Sequence, residues 1–164
     1  MVTAKKPAKK LAMKTAAPSS QDATAMLKAD HKKVSGLFDE FEKSRSPRRK
    51  KEIVAKICME LTIHTQLEEE IFYPAVKAAL KDHELVPEAT VEHDAVKDLI
   101  SQVQNVEPNG EMYDAKVKVM GEFVKHHVKE EHNEIFPKAK KTKLDMVALG
   151  LRMADRKAEL MADM

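Results

Sequence analysis

The sequence from residue 64 to residue 74 is HTQLEEEIFYP, in which His64 and Glu68 stand four residues apart. Residues at this spacing share one face of a helix, so the two side chains point the same way. Their stripe continues through apolar positions, namely Ile53, Ile57, Leu61, Ile71 and Ala75. This pattern predicts that both side chains face the core of a helical protein. A buried carboxylate is costly unless it is paired or binds a metal ion, so the segment predicts a charged site in the interior.

The pattern occurs a second time along the chain. Residues 127–137 read HVKEEHNEIFP, which repeats the histidine, the glutamate four residues later and the final proline. His31 and His93 are separated by almost the same distance as the two motifs, and each lies on an apolar stripe of its own helix. The sequence therefore predicts a duplicated helical hairpin that directs four histidines and the glutamates Glu68 and Glu131 to one interior layer.

Apolar periodicity and capping residues predict the helices that carry these side chains. The first helix begins after the capping residue Asp22 and ends near residue 45, and the second begins after Ser46 with Pro47 in its first position. Pro74 is expected to kink or end the second helix, because proline lacks the backbone N–H and clashes with the preceding turn.

The second half of the chain is predicted to follow the same plan. Residues 80–87 connect the second helix to the third, which begins near Pro87, and the fourth helix runs from about Glu111 until Pro137 closes it. A shorter fifth helix, packed outside the other four, is predicted from the stripe Leu144, Val147, Ala148, Leu151 and Ala154. The prediction is an all-α protein with a tail over residues 1–21, a helical domain over 22–143 and a C-terminal helix over 144–164.

Length and composition support this class. The chain has 164 residues, which is the usual length of one domain. Glycine is rare and Lys, Glu, Ala, Leu and Met are abundant, which favours helices over sheets. The lone Cys58 cannot form a disulfide within the chain. Since no apolar run reaches the ~20 residues that span a bilayer, we predict a cytoplasmic protein without a membrane segment.

The amino-terminal segment is strongly basic. The net charge is +2, yet five lysines precede the first acidic residue of the chain: Lys5, Lys6, Lys9, Lys10 and Lys14. Their surroundings are rich in Ala, Pro and Ser without periodicity, which predicts a disordered tail. Loose contact with nucleic acid is its functional interpretation. Because no aromatic residues alternate with the lysines, a solubilising tail is favoured and nucleic acid is not expected as a partner.

The predicted site contains six side chains: His31, His64, Glu68, His93, His127 and Glu131. Imidazole and carboxylate donors suit iron above all, with zinc or manganese as alternatives. Six ligands exceed the four that close a structural zinc site, so two ions that share both glutamates fit better. Each ion would then have two histidines and open positions for water, oxygen or another small ligand. The alternative is a structural bundle whose histidines are only hydrogen-bonded.

A second register is possible in the fourth helix. His126 and Glu130 also stand four residues apart. The apolar stripe of that helix passes through His127 and Glu131 instead, and the shared proline aligns this pair with His64 in the first motif. The register that contains His127 and Glu131 is therefore the prediction.

The remaining polar residues near the motifs are expected to face solvent. His83 lies in the predicted connection, and His132 and Glu69 project away from the apolar stripes. Glu69 or His132 could still supply an additional ligand. Tyr73 is interpreted first as a core residue and alternatively as a redox-active neighbour of the metal ions.

The spaced motifs resemble the hemerythrin-like family, the HHE cation-binding domain, from about residue 22 to residue 140. The residues that carry the resemblance are Asp30-His31, the segment 64–74, Glu92-His93-Asp94 and the segment 127–137. The resemblance implies an up-down-up-down four-helix bundle with a carboxylate-bridged, non-haem di-iron centre.

Two departures from the oxygen-carrying members of that family bear on function. Those proteins have a second histidine one turn from the first on the third helix, where this chain has Ala89 and Lys97 on either side of His93. They also use an aspartate five residues after the fourth-helix histidine, where this chain has His132. These differences disfavour reversible oxygen carriage and leave sensing, iron handling or oxidative chemistry.

The leading hypothesis is a di-iron protein that binds or senses oxygen, nitric oxide or peroxide, or that holds iron. The competing hypothesis is a di-iron oxidoreductase, either a ferroxidase or a peroxide-decomposing enzyme. Ferritin-like enzymes use Glu-x-x-His on two helices, and no histidine of this chain has an acidic residue three positions before it. That architecture is therefore disfavoured.

Overall fold

The computed structural model describes residues 21–164, and the regular secondary structure in these residues is entirely helical. Its α-helices are α1 (Ala23–Lys43), α2 (Pro47–Leu67), α3 (Tyr73–Leu80), α4 (Leu85–Val103), α5 (Glu111–Glu130), α6 (Phe136–Lys140) and α7 (Met146–Ala162). Two π-helical turns, Glu68–Phe72 and Glu131–Ile135, join α2 to α3 and α5 to α6. Apart from Gln21, the predicted tail over residues 1–21 lies outside the described residues. Within the described part, no helix has the combination of length and apolar character that crossing a bilayer requires.

The predicted helix starts are confirmed by their caps. The Asp22 side chain accepts a hydrogen bond of 2.8 Å from the backbone N–H of Ala25. Ser46 caps α2 through the N–H of Arg49, with Pro47 in the first turn. Both side chains satisfy backbone donors that a helix start otherwise leaves unpaired.

Four long helices pack around a shared interior. Helix α1 packs against α2 and α4 against α5, and the contacts α1–α5 and α2–α4 join these two hairpins. The interior contains two apolar clusters, one around Phe72 and Phe136 and the other around Ile57 and Met120. A layer of buried histidines and glutamates lies between the clusters.

Pro74 does not end the helical path, although the α-helical pitch of the second helix ends before it, at Leu67. The helical path continues through the π turn Glu68–Phe72 into α3, where Pro74 occupies the first turn. The Tyr73 N–H donates to the carbonyl of Glu68, five residues earlier. Proline is tolerated in a first turn, because the N–H that it lacks has no obligatory helical partner there. Pro137 likewise does not close the fourth helix, which continues through the second π turn into α6.

The π turn also corrects the predicted buried stripe. A π turn adds a residue to one turn and rotates the following side chains. Phe72, Tyr73 and Val76 are buried as a result, whereas Ile71 and Ala75, which were predicted to be inside, are only half-buried.

The connection between the two hairpins is shorter than predicted. Helix α3 ends at Leu80 and α4 begins at Leu85, so the connection is 81–84 rather than 80–87. The Asp82 carboxylate accepts hydrogen bonds from the N–H groups of Leu85 and Val86 at 3.1 and 2.8 Å. This capping allows α4 to begin before Pro87.

The fifth helix of the prediction corresponds to α7, and its predicted buried face is wrong. Helix α7 packs against α1, α2 and the first π turn. The buried residues are Leu149, Gly150 and Met153, whereas Val147 and Leu151 of the predicted stripe are 45% and 47% exposed. Both faces of this helix carry apolar residues, so the periodicity alone does not select the correct one.

Gly150 brings α7 close to the start of α1. A Cβ atom at this position would lie 2.4 Å from the carbonyl oxygen of Gln21 and 2.9 Å from the backbone nitrogen of Ala23. Backbone atoms cannot move aside as a flexible side chain does, so we expect Gly150→Ala to lower the free energy of unfolding by about 1–3 kcal/mol. Chemical denaturation monitored by circular dichroism measures this loss.

Gly36 provides the matched control for this substitution. It lies in α1, and an added Cβ would meet nothing within 4 Å. Gly36→Ala is expected to stabilise the protein by about 0.5–1 kcal/mol through helix propensity alone. Equal stability of Gly150→Ala and Gly36→Ala would contradict the close approach of α7 to α1.

Candidate metal centre

The four predicted histidines are buried and form two pairs. The Nε2 atoms of His31 and His64 are 3.1 Å apart, and those of His93 and His127 are also 3.1 Å apart. Two nitrogens bound to one ion at about 2 Å, with about a right angle between them, would stand about 3 Å apart. Each pair therefore has a spacing that suits neighbouring ligands of one ion.

Glu68 is fully buried between the two pairs. Its Oε1 atom lies 2.5 Å from Nε2 of His64 and 3.9 Å from Nε2 of His93, so it faces one histidine of each pair. Neither carboxylate oxygen has a hydrogen-bond partner of good geometry among residues 21–164. Native proteins rarely leave buried polar atoms in this state. The unused acceptor capacity fits a metal ion.

Glu131 occupies the equivalent place at the start of the second π turn. It is also fully buried, and its Oε1 atom lies 3.2 Å from Nε2 of His31 and 3.1 Å from Nε2 of His127. This oxygen has no partner of good hydrogen-bond geometry in the described part of the chain. Its Oε2 atom accepts a hydrogen bond of 3.2 Å from the hydroxyl of Tyr73. Each glutamate thus faces both histidine pairs.

The donor atoms fall into two groups that could each hold a metal ion. The first contains His31, His64, Glu68 and Glu131, and the second contains Glu68, His93 and His127. Glu68 belongs to both groups, and Glu131 contacts a histidine in each. The arrangement can hold two neighbouring ions with nitrogen ligands at the ends and carboxylates in the middle.

Side chains behind the histidines fix the orientation of the rings. Asp30 accepts a hydrogen bond from Nδ1 of His64 at 3.2 Å, and Glu92 accepts one from Nδ1 of His127. Because a carboxylate holds the proton on Nδ1, the Nε2 atom of each ring faces the interior and can bind a metal ion once its own proton has left. Neither acid was assigned a role from the sequence. Each immediately precedes His31 or His93, so the duplication itself contained the signal.

The other two rings are oriented by residues whose predicted environment is wrong. Glu69 and His132 were expected to face solvent, but both are half-buried. Glu69 accepts a hydrogen bond from Nδ1 of His93 at 2.9 Å, and Nε2 of His132 lies 2.9 Å from Nδ1 of His31. These contacts place Glu69 and His132 behind the rings and away from the Nε2 atoms.

Two lysines support this arrangement from the surface. Lys97 pairs with Glu69 at 2.7 Å, and Lys157 of α7 pairs with Asp30 at 2.6 Å. The side-chain hydrogen bonds from His64 and Lys157 lower the pKa of Asp30 despite its burial, which by itself would raise it. Lys157 of α7 is therefore linked to the centre through Asp30, which it contacts directly.

The buried carboxylates also change the protonation of the histidines. Burial alone lowers the pKa of a histidine, but the charge of Glu68 raises the pKa of His64 to about 10. The nearby carboxylates of Glu131 and Glu92 likewise overcome burial and raise the pKa of His127 to about 10. For His93 burial dominates, and its pKa lies below the usual value. One histidine of each pair is thus protonated at neutral pH in the ion-free protein.

The two halves of the centre differ in the aromatic residue that follows each motif. Tyr73 and Phe136 occupy equivalent positions in the two segments. The Tyr73 hydroxyl lies 3.3 Å from Nε2 of His93 and 3.2 Å from Nε2 of His127. Phe136 stacks on the ring of His31, with 6.0 Å between centroids. Only one of the two histidine pairs therefore has a phenol hydroxyl beside its Nε2 atoms in the described structure.

A small apolar cavity adjoins the histidines. Its volume is about 20 Å³, and its apolar lining includes Val34, Leu61, Val96 and Val124. A space of about 10–15 Å³ is sufficient for the centre of one water-sized molecule. The cavity can therefore accept a diatomic molecule next to the metal-binding atoms.

The predicted register of the fourth helix agrees with the burial. His127 and Glu131 are buried, whereas the His126 side chain is 64% exposed. His83 is exposed, as expected from its place in the connection. The six predicted side chains meet in one layer, and their role as metal ligands stays a prediction.

Comparisons with known proteins agree with this geometry. The family model of the hemerythrin HHE cation-binding domain matches residues 22–139. A crystal structure of a hemerythrin HHE cation-binding domain-containing protein from Mycobacterium kansasii superposes with a TM-score of 0.73 and 25% identity, over 87% of this chain and 89% of that one.

A DNA nickase from Nostoc is 29% identical over 111 residues. The match covers 68% of this chain but only 31% of the nickase, so the chain spans about a third of that relative. The family match extends over most of the chain and includes every side chain of the centre. The chain therefore belongs to the hemerythrin HHE cation-binding domain family.

Proposed function

We propose that this protein holds two non-haem iron ions that share Glu68 and Glu131, and that it binds a small diatomic ligand or peroxide beside them. One observation carries the proposal: each glutamate faces both histidine pairs and has a buried oxygen without a hydrogen-bond partner among residues 21–164. Two bound ions would satisfy these oxygens and offset their charge. Iron would supply the capacity to bind such ligands and to change oxidation state.

The order of the helices supports the same centre. Helices α1 and α4 pass from the cluster around Phe72 to the cluster around Ile57, and α2 and α5 pass in the opposite sense. From this order we infer an up-down-up-down four-helix bundle. Such a bundle brings one histidine from each helix to the same height.

The ligand class follows from the cavity. Its small volume, about 20 Å³, and its valine and leucine lining favour oxygen or nitric oxide over a strongly hydrated anion. Peroxide is also small enough to fit.

A peroxide-decomposing oxidoreductase is the second candidate, and Tyr73 favours it. Its hydroxyl lies within 3.3 Å of His93 and His127, where it can donate a proton or a hydrogen bond to a bound oxygen species. Burial and the two glutamates raise the pKa of Tyr73, so it is protonated in the ion-free protein. Rapid hydrogen peroxide turnover by the wild type that is lost in Tyr73→Phe would favour the enzyme over the ligand-binding protein.

The metal content tests the proposal first. Protein purified without a histidine tag and reconstituted with ferrous ion under anaerobic conditions is expected to hold about two irons per chain. Plasma emission spectroscopy measures this ratio, and nitric oxide titration followed by infrared spectroscopy tests the open positions. A ratio near one, or a preference for zinc under the same conditions, would contradict the dinuclear iron centre.

The Nostoc relative raises DNA as a partner, but we propose no DNA role for this chain. Only 31% of that nickase is matched, so its nicking activity does not transfer to the matched segment. The lysine-rich segment lies within residues 1–20, outside the described structure. The cytoplasmic location remains a prediction from the sequence.

A further inference from the structure

A cleft between α4 and α5 connects the surface with the metal centre. Its cavity has a volume of about 70 Å³ and is lined by four glutamates above two residues of the centre: Glu88, Glu92, Glu130, Glu134, His127 and Glu131. Glu88 and Glu92 stand four residues apart on α4 and share one face, and Glu130 lies opposite them at the end of α5. Glu134 follows in the second π turn, where it pairs with Lys138 at 3.1 Å. We call this feature the loading cleft.

The mouth of the loading cleft contains a group of metal-binding donors. Nε2 of His126 lies 3.5 Å from Oε1 of Glu92 and 3.2 Å from Oε1 of Glu130. The three side chains can each offer one donor atom within 4.8 Å of the others. Carboxylate and imidazole together suit a divalent transition-metal ion.

The floor of the loading cleft is formed by Glu131 of the metal centre itself. Glu131 lines the cavity, is fully buried and carries an oxygen without a hydrogen-bond partner in the described residues. Glu92 connects the two ends, because one of its oxygens faces His126 while the other accepts a hydrogen bond from His127. A cation at the mouth is thus one carboxylate away from the centre.

The duplication shows that these acidic positions are not required by the fold. Glu88, His126, Glu130 and Glu134 correspond to Met26, Ile63, Leu67 and Ile71 in the first half of the chain. Those apolar side chains pack in one cluster with α7, which covers that side of the bundle. An uncovered face needs only polar residues, and lysine, serine or asparagine would be sufficient. The second half instead has carboxylates and an imidazole.

We propose that the loading cleft captures a divalent cation at Glu92, His126 and Glu130 and passes it to His127 and Glu131. The cation keeps its charge and oxidation state throughout, so the step needs no further reactant. Clefts with charge of one sign raise the local concentration of an oppositely charged ligand and its association rate by about 10- to 1,000-fold. The inference rests on the function proposed above, since it requires a metal centre to be filled.

The rate of cobalt(II) binding tests this inference. Cobalt(II) is mixed with the ion-free full-length protein in a stopped-flow instrument at low ionic strength, and the visible absorption of the bound ion is followed. The triple variant Glu88→Gln, Glu130→Gln, Glu134→Gln is expected to bind about ten-fold more slowly or worse, with the same final number of ions. Glu92 is left unchanged, because it orients His127.

A second triple variant provides the control. Asp39→Asn, Glu42→Gln, Glu122→Gln removes the same charge from the wider groove between α1 and α5, which also reaches His31. Its rate is expected to stay within about two-fold of the wild type. Equal slowing of cobalt(II) binding in both variants, or slowing only in the control, would overturn the proposed role of the loading cleft. The proposed function would remain intact. Failure of the wild type to bind two ions would overturn both.

The mouth can also be tested alone. His126→Ala keeps all four carboxylates of the cleft and removes one donor of the proposed capture group. We expect slower cobalt(II) binding than in the wild type at every ionic strength, because direct ligation, unlike long-range attraction, is not screened by salt. An unchanged rate of cobalt(II) binding in His126→Ala would overturn the proposal that His126 helps to capture the cation.

Discussion

Glu68→Gln and Glu131→Gln are each expected to lose most of both metal ions, measured as metal per chain after anaerobic reconstitution and desalting. Each substitution keeps the size of the side chain and removes one anion that faces both histidine pairs. Two divalent cations in a buried site need anionic partners, because neutral ligands alone do not offset their desolvation. The loss should therefore affect both ions and not one.

Histidine variants provide the contrast for this result. His31 and His93 each contact the Nε2 atom of one partner in their own pair. We expect His31→Ala or His93→Ala to weaken mainly one ion and to retain a larger fraction of the metal than either glutamine variant. Equal losses in all four variants would contradict the bridging role of the glutamates.

Glu60→Gln is the matched control for a buried carboxylate. Glu60 lies on the same helix as His64, is buried and pairs with Lys33 rather than with a histidine. Its substitution is expected to leave both ions in place. At neutral pH the ion-free Glu68→Gln protein is expected to melt below the ion-free wild type, because it loses the pairing of Glu68 with protonated His64. Circular dichroism at the temperature of the metal assay checks that the variant is folded there, so that unfolding is not the cause of the metal loss.

The sequence predicts the burial of the six side chains because the pattern that places them is local. A histidine and a glutamate at i and i+4 on an apolar stripe can face only one way, and the duplicated motif repeats that constraint on α5. The same reasoning excludes His126 and Glu130 from the core. Because the two helices of a hairpin have similar lengths, His31 and His64 lie at the same height and can pair.

The π turns explain most of what the sequence analysis missed. Periodicity assumes a constant helical pitch, and one extra residue in a turn rotates everything that follows. Ile71 and Ala75 turn away from the interior for this reason. The alternative that Pro74 ends the helix was wrong because the proline occupies the first turn of α3, where its missing N–H has no obligatory helical partner.

The sequence analysis also missed the contacts between side chains of different helices. The contacts of Glu69 with His93 and of His132 with His31 depend on how α2 and α5 lie beside helices of the other hairpin. The buried face of α7 depends on the same kind of information. No spacing within a single helix encodes these relations.

The raised pKa values of His64 and His127 affect both stability and metal binding. Each pKa rises from 6.5 to about 10 in the ion-free fold, because a buried carboxylate stabilises the imidazolium form. The stabilisation from these two pairs is therefore complete below pH 6.5 and is lost as the pH rises through 10. The ion-free protein should melt at lower temperatures across that range. The metal-loaded protein should show a smaller change, since its histidines no longer carry these protons.

Metal binding is accordingly expected to tighten with pH by about ten-fold per unit for each ion, because each ion must displace one proton from His64 or His127. Competition with a chelator of known affinity between pH 6 and 8, with zinc as the probe, measures the slope, and a pH indicator in weakly buffered solution counts the protons released. His83→Ala serves as the control, because His83 is exposed in the connection between α3 and α4 and its loss should leave both quantities unchanged. A flat pH dependence would show that both histidines are already neutral before the ions bind.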